Sequence, residues 1–317
     1  MRPELAWVLG RGGFLGGWIA RVLSGEIPGA RPWPALPRPL SWSDPARSAS
    51  GLEEEAERFA DDVRADGASW TVLWCAGAGG IGTPPARLDA ETEALRRLLD
   101  ALGRRSERLG PGKLVLASSA GGVYGDSSEL PLTEDSPCRP ISAYGRNKLV
   151  QERLCLEWSE RTGLGPALVA RISNLYGPSR GRPAGLVGRI ARSVVRHEAV
   201  HVYVPMDTLR DYLHVRDAAR AILGPLGTLS ASEVRLVASG QSTSIGSLVG
   251  MVARIAKRRP RIVLASQPRH LEQPLRLAFR SLRDPWPPPS VPLPEGIHSV
   301  IRAELAGYQE AGGRRGA

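Results

Sequence analysis

A chain of 317 residues, 42% hydrophobic and 23% charged, can bury one large core or a main domain with a smaller one, and no run reaches the roughly 18 apolar residues of a membrane-spanning helix. The net charge of +10 is carried by scattered arginines without a basic stripe interleaved with aromatics, which argues against a nucleic-acid partner. Cys75, Cys138 and Cys155 are odd in number and lack C-x-x-C spacing. Met1 leads straight into an apolar stretch without a secretory leader, so free thiols in a cytoplasmic protein are expected, with no disulfide or metal framework.

Along the first half, short apolar runs alternate with helical patterns, the mark of a parallel sheet flanked by helices. Strands are expected near 5–9, 71–75, 114–117 and 167–171, with helices near 14–23, 52–64, 87–102 and 143–160. The proline-rich stretch 28–45 offers no strand where a regular Rossmann half has its second, so that part of the nucleotide pocket reads as irregular or trimmed. Further on come a helix near 186–196, alternation at Val200, Val202 and Val204, a helix from about Asp217, a strand near 234–238, a helix near 244–257 and a proline-rich run over 284–294. The fold class is α/β, a Rossmann-like doubly wound parallel sheet. Residues 1–178, completed by about 208–240, form its dinucleotide-binding part; 179–317 form mainly a smaller substrate-binding domain, whose tail 312–317 is expected to fray.

The first strand runs into Gly10-Arg11-Gly12-Gly13-Phe14-Leu15-Gly16 and then an amphipathic helix. Glycines at 10, 13 and 16 permit a tight turn, a close approach to a pyrophosphate and a helix seated against the strand, with its N-terminus facing the phosphates. A second small-residue turn, Cys75-Ala76-Gly77-Ala78-Gly79-Gly80, follows another strand, at the sheet end where open α/β folds hold ligands; Ala76, Gly77 and Ala78 are expected to border the cofactor.

The strand end Ala117-Ser118-Ser119-Ala120-Gly121-Gly122-Val123-Tyr124-Gly125 is followed by Tyr144-Gly145-Arg146-Asn147-Lys148. On a helix, positions 144 and 148 share a face one turn apart. An ordinary phenol titrates near 10, and a neighbouring ammonium favours its ionised form, so this spacing suits a tyrosine acid/base with a lysine activator. Lysine is rare here: only Lys113, Lys148 and Lys257 stand among 42 basic residues.

These segments, with Arg171-Ile172-Ser173-Asn174-Leu175-Tyr176-Gly177-Pro178 and Arg210-Asp211-Tyr212-Leu213-His214-Val215-Arg216-Asp217, resemble the extended short-chain dehydrogenase/reductase family, often called NAD-dependent epimerase/dehydratase, over roughly residues 5 to 258. The resemblance implies Tyr144 as general acid/base and Lys148 as its activator and ribose anchor. The serine that orients the substrate hydroxyl normally falls where this chain has Ala120; Ser119, one residue earlier, is expected to take that role. Ser118 borders the cofactor and reads as structural. Ala120, Tyr124, Asn174 and Arg210 are assigned to the substrate, Asn174 near its diphosphate and Arg210 as a phosphate clamp. The resemblance also implies a homodimer through the helix that carries the tyrosine. Asp217 reads as a helix cap.

His197-Glu198-Ala199-Val200-His201 satisfies the H-E-x-x-H zinc pattern, but that pattern needs one continuous helix and the alternation from Val200 points to a strand. No metal site is expected. Sugar dehydratases of the family resemble one another in an Asp-Glu pair beside the active turn, and decarboxylases carry a Glu; here stand Ala120, Gly121 and Gly122. Hydride transfer with Tyr144 as proton shuttle is left. The expected reaction is reduction of a keto group of a nucleotide-linked sugar, the alternative an epimerisation. A dinucleotide-sensing binding protein is a third reading, but would not need Tyr144 and Lys148. No acid falls between Glu26 and Asp44, where one would hold the 2′-hydroxyl of NAD; Arg31 and Arg38 stand there instead, which favours NADP over NAD.

Overall fold

The computed structural model describes residues 4–34, 45–77, 79–125, 129–179, 184–266, 276–283 and 290–313. In chain order the elements are β1 (Glu4–Leu9), α1 (Phe14–Glu26), β2 (Ala30–Pro32), α2 (Pro45–Asp66), β3 (Ser69–Trp74), α3 (Pro85–Arg104), α4 (Ser106–Leu109), β4 (Gly112–Ser119), α5 (Ala120–Tyr124), α6 (Ala143–Thr162), β5 (Ala167–Ile172) and β6 (Asn174–Tyr176). Then follow α7 (Gly185–Arg196), β7 (Ala199–Val202), β8 (Leu209–His214), α8 (Val215–Leu223), β9 (Glu233–Val237), β10 (Ser242–Ser244), α9 (Ile245–Ala256), β11 (Arg261–Leu264) and α10 (Leu293–Gly313).

The main sheet is parallel, in the order β2-β1-β3-β4-β5-β9, and its Rossmann-like winding agrees with the expected fold class. Alternation sorts its side chains by face. Leu5, Trp7 and Leu9 of β1 pack with α2, α3 and α6, whereas Ala6 and Val8 pack with α1 and α8. The chain leaves β1 toward β2 on one side and returns to β3 on the other. The carboxyl ends of β1 and β3 therefore flank a topological switch point, where such sheets bind ligands.

A short β2 does exist within 28–45, contrary to the sequence expectation of none, and it sits at the sheet edge, where Pro32 sacrifices no ladder bond on its outer side. Trp33 anchors it. Its ring meets Trp7 and Phe59 at 5.3 and 5.4 Å, and its Nε1 donates to Asp62 at 2.8 Å. Residues 35–44 lie outside the described residues.

A second apolar cluster joins α7, α9, α10, β7 and β8, next to the three-stranded sheet β10-β8-β6 and the parallel pair β11-β7. Asp217 is not the cap of α8. His214 caps that helix, its Nδ1 accepting from the Arg216 N–H at 3.3 Å, while Asp217 accepts from Ser290 Oγ at 2.6 Å and the Val291 N–H at 3.0 Å and so holds the chain ahead of α10 against α8. At the far end, α10 continues through Gly313, two residues into the expected frayed tail; 314–317 lie outside the described residues. No helix among the described residues is long and apolar enough to cross a membrane.

Candidate active site

β1 ends in a turn that only glycine can make. Gly10 has φ +89, and a Cβ there would lie 2.5 Å from the Cys75 carbonyl oxygen; one on Gly16 would lie 2.3 Å from the Gly10 oxygen. The bare backbone lets α1 start hard against β1 and β3. Gly13 N donates to Gly10 O at 2.8 Å, and α1 begins with no side-chain cap and no acid in its first turn. Its first N–H groups and the positive end of its dipole therefore have no anionic side chain of their own. Arg11 and Gly12 are exposed, and a Cβ on Gly12 would meet nothing within 4 Å. Phe14 and Leu15 open the helix half-buried, Leu15 at the edge of the cavity.

That cavity, about 680 Å³, runs from the start of α1 and the carboxyl ends of β3 and β4 to α7, β7 and β8. Among the expected site residues it is lined by Leu15, Ala76, Gly77, Ser118, Ser119, Tyr144, Lys148, Asn174 and Arg210. Tyr144 and Lys148 lie on α6, which starts at the Ser142 cap, its Oγ accepting from the Gly145 N–H at 3.1 Å. Close approach of α6 to α5 needs another glycine: a Cβ on Gly145 would sit 2.0 Å from the Gly122 oxygen. A Cβ built on Gly122 would lie 3.1 Å from Tyr144 Cε1 and 3.3 Å from Ser119 Oγ, so the phenol ring and this hydroxyl border the same small space. Ser119 Oγ also caps α5, accepting from the Gly122 N–H at 3.3 Å. The Lys148 ammonium lies 5.9 Å from the Tyr144 ring centroid and donates to Ala117 O at 3.2 Å and Gln151 Oε1 at 3.0 Å. Burial pushes the neighbouring Cys75 thiol up to about 12 despite that ammonium, so Cys75 is a neutral wall of the cavity.

Ser118 faces a different duty from Ser119. Its Oγ donates to Glu152 Oε1 at 2.5 Å, and Glu152 also receives Arg171 through Nε at 3.2 Å and Nη2 at 2.8 Å, while Arg171 Nη1 donates to Tyr124 OH at 3.0 Å. The Glu152 and Arg171 side chains are only 5% and 8% exposed. Two assignments to the substrate are corrected here. Tyr124 and Ala120 are fully buried beside Leu132, Leu277 and Phe279 and do not line the cavity, because α5 turns them into that core and Arg171 occupies the phenol oxygen. Burial pushes the Tyr124 phenol up to about 12, against the opposing charge of Arg171.

Arg31 lies on β2, exposed and paired with Asp66. Arg38 and Ala78 lie outside the described residues. Asn174 is exposed on β6, its Nδ2 donating to Asp211 O at 3.2 Å. Arg210 is buried on β8, and that burial lowers its pKa. Sequence reasoning missed Arg189 on α7 and the pair His201 and Tyr203, all lining the cavity. The signal was present: alternation that sends Val200 and Val202 into the core sends His201 and Tyr203 to the opposite face, where their rings stack at 6.4 Å. The helix needed by H-E-x-x-H is missing, since α7 stops at Arg196, His197 is left-handed at φ 60 and β7 begins at Ala199. The Tyr212 hydroxyl, also on the cavity wall, is buried and has no hydrogen-bond partner among the described residues.

Comparison with known proteins agrees with this geometry. The chain is 35% identical over 146 residues to the GDP-6-deoxy-D-mannose reductase of Pseudomonas aeruginosa, covering 44% of this chain and 47% of that one. It is 30% identical over 159 residues to the UDP-glucose 4-epimerase of Streptomyces lividans, covering 45% and 47%. The aligned part thus spans about half the length of the curated relatives. Over the whole fold, the structure of RMD from Pseudomonas aeruginosa complexed with NADPH superposes with a TM-score of 0.79 at 25% identity, covering 96% of this chain and 99% of that one. With its residues 6–234 matching the family as a whole, the chain belongs to the NAD dependent epimerase/dehydratase family.

Proposed function

We propose that this protein is an NAD(P)-dependent oxidoreductase that reduces a keto group, at C4, of a nucleotide-linked sugar. The observation that carries this reading is the meeting of Tyr144, Lys148 and Ser119 in one cavity, beside an α5 turn that holds no carboxylate. The uncapped N-terminus of α1 and the open side of its turn at Gly12 suit a dinucleotide diphosphate, with the backbone at Gly12, Gly13, Phe14 and Leu15 as its holders and Arg11 beside it. The reduced dinucleotide supplies a hydride to the keto carbon. Tyr144 gives the phenolic proton to the keto oxygen, Lys148 steadies the resulting phenolate, and Ser119 orients the substrate oxygen between them. Proton return from solvent restores the phenol. In this reading Asn174 and Arg210, both on the cavity wall, receive the substrate's diphosphate, and the Tyr212 hydroxyl, without a partner among the described residues, offers a further polar contact.

Ser119 and Ser118 separate cleanly in this reading. Ser119→Ala is expected to lower turnover about tenfold or more, as loss of an orienting hydrogen bond in a closed site does. Ser118→Ala is expected to act mainly on stability through Glu152. Steady-state rates and melting curves of the two variants decide; the reverse order would move the orienting role to Ser118.

For the cofactor, NADPH is the favoured partner. No acid stands at the end of β2, where Ala30, Arg31, Pro32, Trp33 and Pro34 follow one another, and Glu26 is bound to Arg216 and Arg220 at 3.0 and 2.6 Å. The Arg31–Asp66 pair is exposed, hence weak enough to yield to a phosphate. Arg31→Ala or Arg38→Ala is expected to weaken NADPH by about 1.5 to 3 kcal/mol, the scale of a charged hydrogen bond, with NADH little affected. Titration of both dinucleotides tests this, and equal losses for the two would remove the phosphate contact.

An epimerase is the second reading, favoured by the similarity to the Streptomyces lividans enzyme. Given a 4-keto nucleotide sugar and NADPH, a reductase consumes reduced dinucleotide stoichiometrically. An epimerase interconverts two sugars with no added dinucleotide and no net change in it. As partners we place a second copy of the chain across the groove between α3 and α6, where Pro85, Leu88, Ala143 and the exposed Val150 gather, and we assign the enzyme to the cytoplasm.

A further inference from the structure

Lysine 148 has a long, flexible stem, and its ammonium is nearly buried, at 7% exposure for the residue. A buried ammonium needs acceptors, and an unguided one can take several positions. Among the described residues, two of its three N–H bonds are used, on Ala117 O and Gln151 Oε1. Glu152, the adjacent carboxylate on α6, is committed to Ser118 and Arg171. Gln151 is thus the side-chain acceptor that defines where Nζ sits, and the third N–H is left for a ligand in the cavity.

Gln151 is itself held from the other end. It is 1% exposed, and its Nε2 donates to Thr92 Oγ1 at 3.2 Å and to Asn147 Oδ1 at 3.1 Å. Thr92 Oγ1 donates to the same Asn147 oxygen at 3.0 Å, and Asn147 Nδ2 donates to the Leu88 carbonyl at 3.1 Å. The side-chain amides of Gln151 and Asn147 are thus both oriented by their neighbours. A flip of Gln151 would set its NH2 against the ammonium and leave two acceptors on α3 and α6 facing a carbonyl. The spacing makes this possible: Asn147 and Lys148 lie four and three residues before Gln151, so each is its neighbour on the helix surface, Asn147 on the side toward α3 and Lys148 on the side toward β4.

We infer that Gln151 is a positioning residue, anchored on α3 through Thr92 and Asn147, that sets the Lys148 ammonium against the ribose next to the nicotinamide. This rests on the reading of the site as a nicotinamide-dinucleotide site. The two ends of the Gln151 amide do different things, which separates positioning from mere packing. Its oxygen serves Lys148, and its nitrogen ties α6 to α3.

The test uses the full-length protein, with NADPH, NADH and ADP titrated separately by calorimetry; ADP probes the adenosine half, which Lys148 does not reach. Gln151→Leu, which loses the acceptor, is expected to weaken whichever dinucleotide the wild type binds by about tenfold or more, the scale seen when partners behind ligand-holding side chains are removed, and to leave ADP unchanged. Gln151→Glu keeps an acceptor for Lys148 but loses both amide donors. It is expected to restore dinucleotide affinity even where its melting temperature falls. If Gln151→Leu is too unstable to purify, Gln151→Met, equally long and without an amide, carries the same expectation. Wild-type dinucleotide affinity in the Leu or Met variant, an equal loss for ADP, or a loss in Gln151→Glu as large as in Gln151→Leu would each overturn the inference. A wild-type protein that binds neither NADPH nor NADH would overturn the dinucleotide reading beneath it, a result distinct from these.

Discussion

Replacing Tyr144 by phenylalanine is expected to lower turnover by about 10² or more while leaving dinucleotide affinity close to that of the wild type. The substitution removes one oxygen and little else. The ring edge packs at Gly122, where even a methyl group would lie 3.1 Å from Cε1, and the Lys148 ammonium lies 5.9 Å from the ring centroid; both contacts belong to the ring, not to the hydroxyl. Lys148 keeps its own acceptors on Ala117 and Gln151. Cofactor-binding geometry is therefore preserved while the proton donor is lost, and the separation between a steep fall in kcat and a steady dinucleotide Kd is the signature. A variant with wild-type turnover would show that the proton comes from elsewhere, and would remove Tyr144 from the reaction.

What could be read from the sequence follows the range of the forces involved. Strands β1, β3, β4 and β5 were legible because a parallel strand covered on both faces writes itself as a short continuous apolar run, and the glycine turn at 10–16 was legible because backbone clearance at Gly10 and Gly16 admits no other side chain. β2 was not, since it is three residues long, ends in Pro32 and is fixed by Trp33 against Trp7 and Phe59, a cluster spread across three elements. The Tyr144 and Lys148 spacing is local to one helix and was readable for that reason. Tyr124 was misassigned because its partner Arg171 lies 47 residues away and no local pattern announces it. Asp217 sits where a cap belongs, but its acceptors serve Ser290 and Val291, more than 70 residues on. His201 and Tyr203 were hidden by a motif that drew the eye to zinc, although the strand alternation already placed both on the cavity side.

Breaking the buried pair beneath the site is expected to have the largest effect on stability. Arg171 on β5 and Glu152 on α6 are 8% and 5% exposed, joined by Nε and Nη2 contacts to both carboxylate oxygens, with Ser118 and Tyr124 satisfying what remains. Burial by itself lowers the pKa of a guanidinium, but the hydrogen bonds and charge of Glu152 raise that of Arg171 on balance, so Arg171 is held charged. Arg171→Met leaves a bare carboxylate in the core and is expected to cost about 3 to 5 kcal/mol, a fall in melting temperature on the order of 10 °C. Glu152→Leu leaves a bare guanidinium and is expected to cost a similar amount. Because most of each loss is the desolvation of the charge left behind, the double variant Glu152→Leu with Arg171→Met is expected to recover the greater part of it. Denaturant unfolding of the four proteins measures the coupling. Additive single losses would mean that water already reaches the pair, and the network could not then serve as the rigid floor that fixes the helix carrying Tyr144 and Lys148 to the sheet; strong recovery in the double variant, with turnover still impaired, would show that the ions are kept for the placement of α6 rather than for stability.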